Sequence, residues 1–169
     1  MTAEAATAAP LSLVPVYEGA HTLITGGLGL IGSALARRLV ELGAHVTLLD
    51  ALMPESSANL HNIEPIRDRV RLELADVRSA PDLRALITGQ DYLFNLAGQS
   101  SHMASMMDPL TDLDTNCRAQ LALLEVCRDV NPRVVIVFAS TRQIYGRAAY
   151  LPVDERHPVS PVDVNGVAA

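Results

Sequence analysis

A glycine-rich run between a short apolar segment and a helical pattern constrains this chain more than any other feature. The run is Thr25-Gly26-Gly27-Leu28-Gly29-Leu30-Ile31-Gly32, and the apolar segment His21–Thr25 precedes it. Apolar side chains then recur at helical spacing over residues 30–42, and Gly43 follows as a C-cap. Glycine is the residue that permits a sharp turn or a close approach of two backbones. The pattern therefore predicts a strand, a tight turn and a helix.

The rest of the chain alternates in the same way between apolar runs and helical patterns. Four further strands are predicted at residues 45–50, 70–75, 91–97 and 134–139. Ser79-Ala80-Pro81-Asp82 is typical of a helix start, and a later long helix is predicted to bury one face, made of Leu113, Cys117, Leu121, Leu124 and Cys127. The fifth strand is wholly apolar, which predicts burial on both faces. This order predicts an α/β fold, a doubly wound parallel sheet covered by helices on both sides.

Composition limits the class of partner. The net charge of −6 disfavours a nucleic-acid or anionic-membrane surface, and no apolar run reaches the roughly 20 residues of a membrane span. Cys117 and Cys127 are ten residues apart in one predicted helix, too far to bridge, which favours free thiols and a cytoplasmic location. The histidines and cysteines show no spacing typical of a metal site. Residues 1–18 are predicted to be a flexible tail and residues 19–169 one domain.

The predicted sheet places the glycine run where such folds bind ligands, at the carboxyl ends of the strands. Glycines there let a dinucleotide pyrophosphate approach the backbone, and the helix N-terminus attracts its charge. Asp50, 18 residues after Gly32, ends the second strand, where a carboxylate accepts ribose hydroxyls and repels a 2′-phosphate. These features predict NAD rather than NADP. The alternatives are a glycine turn that only connects two elements and an Asp50 that only caps the next turn.

A second acid lies at the end of the third strand. Asp76 could accept a hydrogen bond from an adenine amino group, with Val77 supplying a backbone contact. Acids often end strands, so the prediction depends on the position of Asp76 beside Asp50 in a parallel sheet.

Together with Asn95-Leu96-Ala97-Gly98 and residues 139–146, these motifs resemble the extended short-chain dehydrogenase/reductases, and more narrowly the NAD-dependent nucleotide-sugar epimerase/dehydratase family. The resemblance spans residues 20–166 and implies a Rossmann-type fold, truncated after about five or six strands, without the family's C-terminal substrate domain. It also implies a nucleotide-sugar substrate for a chain that is completed by such a C-terminal domain.

The resemblance assigns roles to individual positions. Leu96, Ala97 and Gly98 would line the nicotinamide side of the cofactor, with Ser140 nearby. Asn116 would brace the site from its helix, and Thr141 would hydrogen-bond the reacting sugar hydroxyl. The alternatives are a solvent-facing Asn116, and Ser140 and Thr141 hydroxyls that only satisfy loop amides.

Three departures from the family pattern concern catalysis. Family members that remove water carry an aspartate and a glutamate after the Thr141 position, but Arg142 and Gln143 stand here and neither is a base near neutral pH. The family's catalytic tyrosine and lysine fall at Asn165 and Ala169, and the chain contains no lysine. A subgroup of the family that shares the motifs Thr-Arg-Gln and Pro-Val-Asp-Val-Asn-Gly carries asparagine at the tyrosine position but keeps the lysine. Neither Tyr145 nor Tyr150 has a lysine at the required spacing, and His102 is the one histidine worth testing.

Two hypotheses remain open from the sequence. The first is the NAD-binding part of an epimerase-like oxidoreductase, inactive as this chain alone. The second is a non-catalytic NAD-binding module, either a sensor or one half of a two-chain assembly. For both, a sheet that ends after five strands predicts an uncovered edge and therefore a homo-oligomer or looser self-association.

Overall fold

The computed structural model describes residues 13–54 and 56–168, with the side chains of residues 80–82 left out. Five strands form one parallel sheet in the order β3-β2-β1-β4-β5. The strands are β1 (His21–Thr25), β2 (His45–Asp50), β3 (Val70–Leu74), β4 (Tyr92–Asn95) and β5 (Val135–Phe138). The strand order reverses between β1 and β4, and ligands of such sheets bind outside the carboxyl ends of the strands at this reversal. The predicted fold class is confirmed.

Helices cover both faces of the sheet. The α-helices are α1 (Val14–Tyr17), α2 (Leu30–Glu41), α3 (Ala80–Ile87), α4 (His102–Met107), α5 (Pro109–Leu113), α6 (Ala119–Val130) and α7 (Val164–Ala168). Two 3-10 helices, Leu60–Arg69 and Arg142–Tyr145, and a π-helical turn, Asp114–Arg118, complete the elements of the described residues. None of the described helices is long and apolar enough to cross a lipid bilayer.

Alternation along the strands divides the core into two layers. In β1, Leu23 packs into the layer under α3 and α6, whereas its neighbour Ile24 packs into the layer under α2 and the first 3-10 helix. Both side chains are fully buried. The central strands are apolar in succession because both of their faces meet helices.

Part of the segment 1–18, which the sequence predicts to be a flexible tail, is packed on the domain. Residues 14–17 form α1, and the Tyr17 ring packs against Tyr92 and Phe94 with centroid separations of 5.1 and 6.4 Å. The chain therefore joins the core before β1, through an aromatic contact that a single tyrosine in this segment does not reveal. Residues 1–12 of the predicted tail lie outside the described residues.

The prediction that the fifth strand is buried on both faces is wrong. Val135, Val137 and Phe138 are 46–52% exposed, and β5 pairs with β4 along only one edge among the described strands. The apolar composition of β5 fits a strand with a neighbour on each side, but the described chain supplies one neighbour. Apolar surface is therefore left open at this edge of the sheet.

The predicted buried face of the long helix is also wrong in most positions. Leu113, Leu121 and Leu124 are 45–61% exposed, and the buried residues of α6 are Ala119, Leu123, Val126 and Cys127. Cys127 alone of the predicted set is buried, and burial raises the pKa of its thiol. Apolar residues occur on nearly every side of this helix, and the π-helical turn shifts its phase, so a single 3.6-residue period does not select the packed side.

Candidate dinucleotide site

The turn between β1 and α2 is packed too tightly for side chains. Gly26 has φ +69°, in the left-handed region, and a Cβ there would lie 3.0 Å from the carbonyl oxygen of Leu96. A Cβ on Gly32 would lie 2.2 Å from the carbonyl oxygen of Gly26. The first turn of α2 thus sits directly on the glycine turn. A helix N-terminus held this close to the strand end offers amides without intrahelical partners to an anionic group.

The apolar residues of the run divide between core and surface. Gly27 packs against Leu48, and Leu28 is fully buried. Leu30 and Ile31, in the first turn of α2, are 74% and 68% exposed. Two large apolar side chains therefore face outward beside the turn, where a ligand lying across it would cover them.

Asp50 ties the glycine turn to the end of β2. Its side chain is 8% exposed; Oδ2 accepts from the Leu28 amide at 3.0 Å, and Oδ1 accepts from the Leu52 amide at 2.8 Å. Leu52 has φ +49°, an uncommon conformation for a branched residue. The contact to Leu52 is the turn-capping role that the sequence left as the alternative. Each oxygen keeps lone-pair capacity for one more donor, so capping and ribose binding are compatible.

Asp76 follows β3, next to the end of β2, because the Ala75 amide donates to the Asp50 carbonyl at 3.1 Å. Its carboxylate accepts from both the Nε and an Nη of Arg78, at 2.6–3.0 Å. Hydrogen bonds from Arg78 hold the pKa of Asp76 below its ordinary value of 3.8. Val77 is buried in the core, which fixes this corner. Arg78, which the sequence did not predict as a partner, therefore hydrogen-bonds the carboxylate that was predicted to accept from the adenine amino group.

We expect the Asp76 pair to make stability depend on pH in one direction. Because the folded-state pKa is lowered, its contribution is present above 3.8 and is lost as pH falls through the folded-state pKa. Asp76→Asn should therefore lower the melting temperature at neutral pH and have a shrinking effect below pH 3.8, measured by thermal unfolding across pH. In an Arg78→Met background this pH dependence should largely vanish. An Asp76→Asn effect that is equal at every pH would contradict this assignment.

The loop after β4 lies against the glycine turn. The Thr25 hydroxyl accepts from the Leu96 and Ala97 amides, both at 3.1 Å, and donates to Asn95 Oδ1 at 2.8 Å. On the other side, Gln120 Nε2 donates to the Ala97 carbonyl at 3.2 Å. The loop predicted to face the nicotinamide is therefore held from below by β1 and from the side by the long helix.

Asn116 faces this loop and not solvent. It lies in the π-helical turn; its Oδ1 accepts from the Gln99 amide at 2.8 Å, and a Cβ on Gly98 would lie 2.9 Å from the same oxygen. The solvent-facing alternative is therefore wrong, and the bracing of an active site by Asn116 stays a prediction. Asn165, on α7, is 4% exposed, and its amide donates to the Gln99 carbonyl at 2.9 Å. The position of the family's tyrosine thus holds a buried side chain engaged with backbone. Ala169 lies outside the described residues.

Thr141 and Ser140 follow β5 at the open side of the site. Thr141 Oγ1 accepts from the Gln143 amide at 3.4 Å, the loop-capping contact that the sequence left as an alternative, and Ser140 is exposed. Gly166 of α7 packs closely against the 3-10 helix Arg142–Tyr145. A Cβ on Gly166 would lie only 2.7 Å from the Gln143 carbonyl oxygen. The Gln143 Oε1 atom is buried and has no hydrogen-bond partner among the residues that the structure describes.

The remaining titratable candidates are His102, Tyr145 and Tyr150. His102 Nδ1 lies 3.3 Å from Asp163 Oδ2, just before α7, and the His102 side chain is 54% exposed. Tyr145 packs edge-on against His157 with a centroid separation of 5.4 Å, and Tyr150 donates to Asp154 at 2.6 Å, a bond that raises the pKa of Tyr150. A raised pKa does not prepare Tyr150 to act as a base. Within the described residues, no three His, Cys, Asp or Glu side chains converge on a metal site.

A Rossmann-type sheet with a glycine turn, an acid at the end of β2 and a braced loop after β4 defines a dinucleotide-binding protein. The model of the NAD dependent epimerase/dehydratase family matches residues 22–167, and the chain belongs to this family. NAD is the family's cofactor. The glycine cradle, which a Cβ would fill, and the remaining acceptor capacity of Asp50 both fit this cofactor.

Individual relatives agree with the family match. A putative UDP-glucose 4-epimerase of Methanocaldococcus jannaschii is 32% identical over 148 residues, which cover 86% of this chain and 46% of the relative. An epimerase structure from Methanothermobacter thermautotrophicus superposes with a TM-score of 0.82 at 28% identity, covering 95% of this chain and 48% of that one. A UDP-glucose-4-epimerase from Stenotrophomonas maltophila, solved with bound NAD and formylated UDP-arabinopyranose, gives 0.79 at 27% identity, with 88% and 45% covered. The chain spans about half the length of these relatives.

Sequence reasoning missed Asp112 and Gln99. Asp112 is fully buried and contacts both Asn116 and Asn165. One signal was available, because Asp112 precedes Asn116 by four residues and so shares its helix face. Asn165 is more than 50 residues further along the chain, and no local pattern connects it to this pair.

Proposed function

We propose that this chain is the NAD-binding part of a nucleotide-sugar epimerase-like oxidoreductase that transfers a hydride reversibly at a sugar hydroxyl. The observation that carries the proposal is the glycine turn braced by the buried Asp50 at the reversal of strand order. Bound NAD supplies the hydride acceptor. The chain's own residues bind and orient the dinucleotide along the carboxyl edge of the sheet.

Each half of the dinucleotide has its own residues in this proposal. Asp50 accepts the adenosine ribose hydroxyls, and the corner of Asp76 and Val77 faces the adenine. The amides of the first turn of α2 meet the pyrophosphate. Leu96, Ala97 and Gly98 line the nicotinamide, because the second nucleotide of such a fold lies across the reversal of strand order, over β4.

The proposal treats the chain alone as inactive. When the carbon that bears a sugar hydroxyl gives up hydride, the hydroxyl must also lose its proton, and a positioned base has to accept that proton. At the position of the family's tyrosine, Asn165 is buried and its amide donates to Gln99 and Asp112, so it has neither the chemistry nor the exposure of a base. Arg142 and Gln143 likewise offer no base for a dehydration, which favours an epimerase-like or simple redox role.

The buried Asn165 also favours the second candidate, an NAD-binding module without turnover. The two candidates agree on NAD binding and differ in whether a nucleotide sugar is ever oxidised. Relatives named for epimerisation of UDP-glucose support the first candidate for a longer protein that contains this part.

The test combines cofactor binding with a turnover assay. Calorimetry of the 169-residue chain should show saturable NAD⁺ binding and weaker NADP⁺ binding. UDP-glucose added to the chain with NAD⁺ should then produce no NADH. Failure to bind NAD⁺ would reject both candidates, and NADH formation would show that a base is present and reject the inactivity of the chain.

We also propose that the open edge of β5 makes this chain self-associate. Val135, Val137 and Phe138 expose apolar surface along a strand whose outer edge has no partner among the described strands, which is the geometry that recruits another strand. Val137→Lys should reduce association at micromolar concentration in sedimentation velocity. A matched Val167→Lys, on the 70% exposed Val167 of α7, should leave it largely unchanged. A monomeric parent chain would contradict the proposal.

A further inference from the structure

Four polar groups meet under the loop that follows β4 and form a closed ring of hydrogen bonds. Asn116 Nδ2 donates to the Gln99 carbonyl at 3.0 Å and to Asp112 Oδ1 at 3.3 Å. Asn165 Nδ2 donates to the same carbonyl at 2.9 Å and to Asp112 Oδ2 at 3.3 Å. Two acceptors thus alternate with two amide nitrogens.

The hydrogen-bond capacities of the four groups match. A side-chain amide nitrogen carries two hydrogens, and each of these two nitrogens uses one hydrogen for the carbonyl and one for the carboxylate. Asn116 Oδ1 also accepts from the Gln99 amide at 2.8 Å, so Gln99 is held at both its N–H and its C=O. The loop cannot shift at Gln99 without breaking several of these bonds.

The ring buries a carboxylate that no cation contacts within the part of the chain that the structure describes. Asp112 is 0% exposed and Asn165 is 4% exposed, and the Asp112 carboxylate accepts hydrogen bonds from the two asparagine amides. Removing a carboxylate from water is expensive unless its oxygens are hydrogen-bonded, and an apolar residue would fill this space at lower cost. A feature that is costly for stability needs another explanation, such as geometric specificity.

The ring joins three segments beside the predicted nicotinamide position. They are the loop at Gln99, the continuous helical stretch that carries Asp112 on α5 and Asn116 in the π-helical turn, and α7 with Asn165. The two amides meet at the Gln99 carbonyl, next to Gly98. Asp50 marks the adenosine half over β2, so the loop after β4 belongs to the other half.

We propose that Asp112 and Asn165 are positioning residues for the nicotinamide half of the cofactor: through Gln99 they fix the loop of Leu96, Ala97 and Gly98. The inference rests on the proposed NAD binding. It explains why an asparagine occupies the tyrosine position: at residue 165 the side chain faces inward to the loop and is unavailable to a sugar hydroxyl.

Comparing the affinities for NAD⁺ and ADP-ribose distinguishes a loss of nicotinamide positioning from a general loss of stability. ADP-ribose shares the adenosine, pyrophosphate and second ribose of NAD⁺ but lacks the nicotinamide. Asp112→Asn puts an amide hydrogen where the ring needs an acceptor, and Asn165→Ala removes two of its donors. Each variant should weaken NAD⁺ binding about tenfold in calorimetry and change ADP-ribose binding by less than about twofold. The double variant should bind NAD⁺ only slightly more weakly than the weaker-binding single variant, because either substitution alone already breaks the ring.

Asp114→Asn is the matched control, since Asp114 lies two residues along the helix and pairs with Arg118 at the surface. It should leave both affinities unchanged. Equal loss of both ligands in Asp112→Asn and Asn165→Ala, or no loss of either, would overturn the positioning role. A parent chain that binds neither ligand would instead reject the proposed function, and with it this inference.

Discussion

Replacing Gly32 with alanine is expected to abolish detectable NAD⁺ binding and to destabilise the fold. The new Cβ would lie 2.2 Å from the Gly26 carbonyl oxygen and 2.9 Å from the Gly27 Cα, and both obstacles are backbone. The first turn of α2 must therefore move away from the glycine turn, which removes the surface for the pyrophosphate. Overpacking of this kind costs roughly 3 kcal/mol, equivalent to a melting temperature lower by about 10 °C.

The control for this prediction is the same substitution elsewhere in the turn. A Cβ on Gly29 would meet the Gly26 carbonyl oxygen at 3.3 Å and Ser57 Oγ at 3.6 Å, which small shifts relieve. Gly29→Ala should cost less than about 1 kcal/mol of stability. Thermal unfolding and NAD⁺ calorimetry on both variants decide the matter. Comparable stability losses in Gly29→Ala and Gly32→Ala would contradict the packing described for the turn.

Replacing Asp50 with asparagine is expected to weaken NAD⁺ binding about tenfold and to reduce the preference for NAD⁺ over NADP⁺ by a similar factor. The carboxylate is 8% exposed, braces the Leu28 amide and has capacity left for ribose hydroxyls. The amide has one oxygen in place of two and no charge, so it accepts less and no longer repels a 2′-phosphate.

A surface acid supplies the control for Asp50. Asp68, in the 3-10 helix Leu60–Arg69, is exposed, and Asp68→Asn should change neither affinity. Competition calorimetry with NAD⁺ and NADP⁺ measures both ratios. If Asp50→Asn keeps the parent preference for NAD⁺, Asp50 only caps the turn at Leu52. The hydrogen bond from the Leu52 amide to Asp50 already agrees with that alternative.

The sheet was predictable because local patterns specify it. The central strands are short apolar runs that end at a glycine or an acid. The turn at Gly26 is rich in glycine, which indicates that two backbone segments approach closely there. The open edge at β5 and the packed side of α6 were not predictable in the same way. Strand burial depends on which neighbours are present, and α6 is apolar on several sides, so tertiary contacts choose among them.

The residues of the site were also predictable only where a local sequence pattern specifies them. Asp50 and the glycine turn lie within one strand–helix–strand unit, so their spacing in sequence predicts their meeting in space. The ring of Gln99, Asp112, Asn116 and Asn165 draws on three segments, and only the folded chain brings Asn165 to Asp112. The Arg78 partner of Asp76 is local, but an arginine two residues from an acid is too common to predict a pair.

Amide NMR of the labelled 169-residue chain with added NAD⁺ tests the central claim most directly, because it locates the cofactor as well as detecting it. We expect the largest shifts in three places: the glycine turn, the residues after Asp50, and the loop from Leu96 to Gln99. The hollow at the opposite end of the strands, lined by His21 and His45, should remain unchanged. Shifts confined to that hollow, or no saturable shifts at all, would contradict the assignment of a dinucleotide site to the carboxyl edge of this sheet.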